Sequence, residues 1–175
     1  MNSKLTPRFF VLAGMILAAA FTRLIPHPPN FTAIGAIALF GGAYFNRKSL
    51  AFAVPLIAMF LSDLIIGFHP GMYAVYLSFI LIVMIGMLLS NKKKIGSIFL
   101  ASVGAAVLFF IITNFAQWIT DPLYTKNLSG LITCYVAGIP FFGNTLFGDL
   151  FFSGVLFGLF ELAKVKFPPL AEIKA

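Results

Sequence analysis

The sequence predicts an all-α membrane protein of six transmembrane helices with both termini cytoplasmic, and three observations carry that reading. Hydrophobic residues fill 61% of the 175 positions and charged residues 10%, at a mean hydropathy of +1.02. Soluble domains carry roughly a quarter charged residues, so such a chain belongs in a bilayer. Six apolar runs approach the roughly 20 residues that a helix needs to cross about 30 Å of hydrocarbon. The basic residues then fall almost wholly on one side of those runs.

The first run, about 8–25, follows Lys4 and Arg8 and ends near Arg23. A secretory signal peptide is the competing reading of residues 1–20, because the basic start, the apolar core and Ala18-Ala19-Ala20 resemble a cleavage site. Next comes "RLIPHPPNFTAIGAIALFGG" at 23–42, a polar knot of prolines, Arg23, His27 and Asn30 opening into a second run, about 31–45. At about 1.5 Å per residue that run covers only some 22 Å. It must be shielded by protein or extended by its flanks, and short helices in transport folds commonly sit beside the ligand.

Runs three to five, about 50–67, 72–90 and 95–119, end at charges, Pro or Gly. The segment 120–142 is too polar at its start and too short in its apolar part to span. It reads as an outer loop with an interfacial or re-entrant segment, before a sixth run at about 143–163. No run alternates as a barrel strand does, and residues 1–175 form a single integral membrane domain.

A net charge of +7 would suggest nucleic acid in a soluble chain, but here the positive residues flank apolar runs and set topology. One side holds Lys4, Arg8, Arg47, Lys48, Lys92, Lys93, Lys94, Lys164, Lys166 and Lys174; the other holds Arg23 and Lys126. The positive-inside rule puts the first set in the cytoplasm and the polar knot at the outer surface of the membrane. The single cysteine, Cys134, excludes an internal disulfide framework. No nucleophile elbow, phosphate-binding loop or metalloprotease helix occurs, so no catalytic residue and no cofactor is assigned.

Ionisable residues within spans are costly and mark functional candidates. They collect at one end: Arg23, Asp63 in the outer part of the third run, Asn114 and Gln117 closing the fifth, and Asp149 in the sixth. His27 and Asn30 from the first outer loop, His69 from the second and Asn144 beyond the third join them. That asymmetry is what a pocket open to the outside needs, with convergent polar groups above hydrophobic packing. Arg23, Asp63 and Asp149 serve equally well as ligand contacts or as internal ion pairs. The two histidines lack metal-ligand spacing, so no metal is assigned. Small residues at Gly14 and Ala18 permit close helix approach, either within the bundle or to a partner subunit.

The stretches "RLIPHPPNFTAIGAIALFGGAYF", "VPLIAMFLSDLIIGFH", "TNFAQW" and "CYVAGIPFFGNTLFGDL" resemble an uncharacterised family of small bacterial membrane proteins over nearly the whole chain. In layout the chain also resembles the substrate-binding S component of energy-coupling factor (ECF) vitamin transporters. The shared features are six helices, cytoplasmic termini, a proline-bearing loop after the first helix and a glycine-rich second helix. That resemblance implies an outward pocket for a small-molecule substrate, vitamin-like or a related micronutrient. It also implies a membrane-embedded coupling subunit with ATPases that docks on the first helix, at Gly14 and Ala18. Nickel or cobalt members of that group carry a His at the second position; Met1-Asn2-Ser3 lacks it. Uptake of a small solute is therefore the expected function. A structural or assembly role in the cell envelope stands as the alternative.

Overall fold

A computed structural model describes residues 6–171. Among them the chain forms six α-helices and no strand: α1 (Pro7–Phe21), α2 (Ile34–Tyr44), α3 (Lys48–Ile66), α4 (Met72–Leu88), α5 (Ile95–Thr120) and α6 (Leu128–Lys166). Short 3₁₀ turns, Thr22–Leu24 and Pro168–Leu170, follow α1 and α6. The helices α1 (with its 3₁₀ turn), α3, α5 and α6 are long and apolar enough to cross a membrane, which makes this an all-helical membrane protein. Met1-Asn2-Ser3, Lys4 and Lys174 lie outside the described residues.

The bundle is built around its shortest helix. All 11 residues of α2 are buried, and the helix packs against each of the other five. It is apolar on every side, as a helix without a solvent or lipid face must be. Its glycines permit that depth: a Cβ on Gly42 would lie 2.2 Å from the Val83 carbonyl oxygen, and one on Gly86 2.4 Å from that of Leu39. Those two residues let the backbones of α2 and α4 touch.

The polar side chains that cap the ends of α2 come from distant parts of the chain. Its N-cap residue, Ala33, offers no side-chain acceptor. Instead the carboxylate of Asp149, far along α6, accepts from the backbone N–H groups of Gly35 and Ala36. At the other end the Arg8 guanidinium donates to the Tyr44 carbonyl at 3.0 Å. An anion at the N-terminus and a cation at the C-terminus both complement the helix dipole and satisfy orphan backbone groups.

Around Tyr44 the packing is aromatic and cationic. Phe40, Phe157 and Phe160 surround its ring at centroid distances of 4.7–5.4 Å. Lys93 lies 5.1 Å and Lys164 5.6 Å from that ring. The Tyr44 hydroxyl donates to Glu161, which pairs with Lys164 at 2.6 Å. Arg8, Lys93 and Lys164, assigned to one side by charge alone, thus converge at one end of the bundle.

One sequence expectation is overturned. The segment 120–142 is not a loop with an interfacial or re-entrant piece: the connection is confined to 121–127, and α6 then runs unbroken for 39 residues through Pro140. Asn127 starts it by accepting from the Gly130 N–H at 2.9 Å. Its first half is held on α5 by the Tyr135 hydroxyl on the Ile111 carbonyl at 2.7 Å and by Gly138 against Asn114. Those contacts sustain the helix where Pro140 removes a backbone donor. At about 1.5 Å per residue α6 is close to 58 Å long, nearly twice the hydrocarbon thickness. Asp149 consequently lies in the middle of its helix, not near the start as the run 143–163 placed it.

Candidate functional site

The connections 22–33, 67–71 and 121–127 all gather at the end of the bundle opposite Tyr44, where they border a compound cleft. Its deepest part, about 280 Å³, is lined by Arg23, His27, Asn30, His69, Phe109 and Asp149, among others. An outer part of about 640 Å³ runs past His69, Thr113, Gln117 and Asp121. A side recess of about 160 Å³ lies between Phe109, Asn114, Gln117 and Phe142. Asn30 and Phe109 border all three.

The polar knot of the first connection forms one wall, and its shape is fixed by local bonds. Asn30 has φ of 62°, the left-handed region that Asn tolerates better than most residues. The Phe31 N–H donates to the Pro28 carbonyl at 3.0 Å and the Thr32 N–H to that of Asn30 at 3.1 Å. From α6, the Asn144 amide donates to the Pro29 carbonyl at 2.9 Å. Gly148 then lets α6 approach closely, since a Cβ there would meet the Thr32 backbone at 3.0 Å.

Arg23 and Asp63 form an internal ion pair. Arg23 Nη1 lies 2.7 Å from Asp63 Oδ1 and 2.6 Å from Ser62 Oγ, while the Tyr76 hydroxyl donates to Asp63 Oδ2 at 2.8 Å. Three elements are thereby clamped: the turn after α1, α3 and α4. Arg23 still borders the cleft, whereas Asp63, 3% exposed, sits behind it and is not among its lining residues.

Asp149 is 2% exposed and forms part of the cleft floor beside Gly35. A Cβ on Gly35 would lie 2.4 Å from Asp149 Oδ2, so only glycine leaves room for the carboxylate against the start of α2.

Of the nine residues expected to bind substrate, Arg23, His27, Asn30, His69 and Asp149 line the deep part. Asn114 and Gln117 line the recess; the Asn114 amide donates to the Phe110 carbonyl at 2.8 Å and that of Gln117 to Asp121 Oδ2 at 2.7 Å. Asp63 and Asn144 are not cleft-lining: the first is spent on Arg23 and Tyr76, the second on holding the Pro29 loop. Thr145 was missed, although it sits four residues before Asp149 on the same helical face and borders both the floor and the recess. Phe109 was missed because nothing distinguishes it among 22 phenylalanines. Gly14 and Ala18 lie exposed on the outer face of α1, and nothing in the bundle packs within 4 Å of a Cβ built on Gly14. Among the described residues no three His, Cys, Asp or Glu side chains cluster as a metal site.

Residues 3–170 match the family of unknown function DUF6580, and the chain belongs to that family. No curated protein and no solved structure matches it.

Proposed function

We propose that this member of a family of unknown function is a membrane-embedded binding component for uptake of a small molecule, which enters the cleft from the outer face of a bacterial cell membrane. One observation carries the reading: three neighbouring cavities at one end of the bundle that share Asn30 and Phe109 in their walls and set polar groups among phenylalanines. Concave sites with apolar walls and a few convergent polar groups are the usual form of a small-molecule site. Below the floor, α2 and its aromatic collar fill the bundle.

The layout supports an ECF-type reading as well. The chain has no phosphate-binding loop, so on this reading uphill transport draws its energy from a coupling subunit with ATPases. The exposed Gly14 and Ala18 face of α1 is where that subunit docks, with the small residues allowing close approach. The substrate is a vitamin-like or related micronutrient, and the protein binds it without chemical conversion.

The test is mass spectrometry of solutes retained by protein taken gently from its native membrane into lipid nanodiscs, with Thr113→Trp as the control that fills the outer part of the cleft. The expected result is a solute near one per protein in the wild type, depleted at least about tenfold in the variant at unchanged thermal stability. An empty wild-type protein that instead co-purifies with a larger envelope protein would transfer the assignment to a structural or assembly role.

A further inference from the structure

Charge is distributed across this molecule in a way that topology does not require. The chain carries five acidic residues against 12 basic ones, yet its three aspartates all lie at the cleft end. Asp149 is on the floor, Asp121 on the rim and Asp63 behind Arg23. The Arg23 charge is matched by Asp63 at 2.7 Å. Lys126, the other basic residue at this end, directs its ammonium at the backbone carbonyls of Trp118 and Asp121. No cationic side chain pairs with Asp149 among the described residues. The deep cavity is thus bordered by Arg23, whose charge Asp63 matches, by His27 and His69, and by Asp149, the one carboxylate in its lining that faces no cationic side chain among the described residues.

Asp149 is also only partly used. A carboxylate offers about four lone-pair sites, and the N–H groups of Gly35 and Ala36 occupy two. The remaining acceptor capacity borders the deep cavity, where the positive end of the α2 dipole compensates only part of a full negative charge. A positive group placed there by a ligand would supply a full counter-charge, and the Phe109 ring, which borders the same cavity, adds a surface that favours a cation.

We infer that the cleft takes a small organic cation, a solute whose protonated amine or other positively charged nitrogen seats against Asp149 while its apolar part runs along Phe109 toward the recess. This inference rests on the binding role proposed above. Solutes bearing only carboxylate or phosphate groups would set like charge against Asp149 at that seat.

The experiment presents the nanodisc-embedded protein with a bacterial small-molecule extract split into cationic, neutral and anionic fractions by ion exchange. Solute retained from each fraction is identified by mass spectrometry. The expected outcome is saturable retention from the cationic fraction only. Asp149→Asn is the informative variant, because its amide oxygen still accepts from the α2 N–H groups while the side chain carries no charge. It should keep the fold and lose affinity for the retained cation by about thirtyfold or more. Asp121→Asn, at the rim, should lose only about two- to threefold. Retention solely from the neutral or anionic fraction would overturn the cation assignment and leave the binding role standing, and that readout does not depend on any variant. An unchanged affinity in a folded Asp149→Asn protein would overturn it too. Retention from no fraction would remove the binding role itself.

Discussion

The two ends of α2 solve the same problem in opposite ways. Both present unsatisfied backbone groups in the interior of a membrane protein, where water cannot serve them. At the C-terminal end Arg8 meets the last carbonyl, and its charge is spread over Tyr44 and Phe160 inside a filled aromatic collar. At the N-terminal end Asp149 meets the first N–H groups, and beyond it lies open space. One end is a plug and the other a floor. A membrane protein gains a cavity here by leaving one helix short and terminating it against a distant carboxylate, with no break needed in the long helices around it.

The sharpest way to break this comparison is at the clamp beside the floor. Asp63→Ala leaves the part-buried Arg23 without its counter-ion and should destabilise the protein by about 3 kcal/mol, read as thermal unfolding in a fixed detergent. The double variant Arg23→Met, Asp63→Leu should recover most of that loss. If the single variant melts with the wild type, the pair does not hold the cleft together.

A smaller effect is expected at the floor. Asp149→Ala leaves two α2 N–H groups without an acceptor and should cost about 2 kcal/mol, while Asp149→Asn should cost less than about 0.5 kcal/mol. Equal losses for both substitutions would show that charge, and not capping, is what α2 requires.

At the plug the loss should be smaller than that of Asp149→Ala. Tyr44→Phe removes the hydroxyl that donates to Glu161 but keeps the ring among Phe40, Phe157 and Phe160. A loss near 1 kcal/mol is expected from the same melting measurement, with no change in solute retention. Altered retention would mean that the two ends of α2 communicate.

Much of the cleft was legible before any coordinates. Arg23, His27, Asn30, His69 and Asp149 were singled out because polar residues in apolar surroundings are expensive, and all five line the same cavity. Asp63 was found by the same rule but serves Arg23 and Tyr76 from behind the wall, since cost marks a residue without saying which way it faces. Asn144 likewise serves the Pro29 loop. The long α6 escaped detection because a hydropathy window penalises the polar start at 127–133, whereas the helix there is sustained by contacts with α5.

By itself the sequence determined the membrane class, six helices, their boundaries to within a few residues except in α6, and the segregation of basic residues from the polar end. Those follow from local composition, because the lengths of apolar runs and the charges between them act over a few tens of residues at most. Only the tertiary structure decided that α2 is wholly buried, that Arg8 and Asp149 close its two ends, and that Asp63 is spent on Arg23. Each joins residues 36 or more positions apart, 113 in the case of Asp149 and Ala36, and such pairings depend on how helices cross. No periodicity along the chain encodes that.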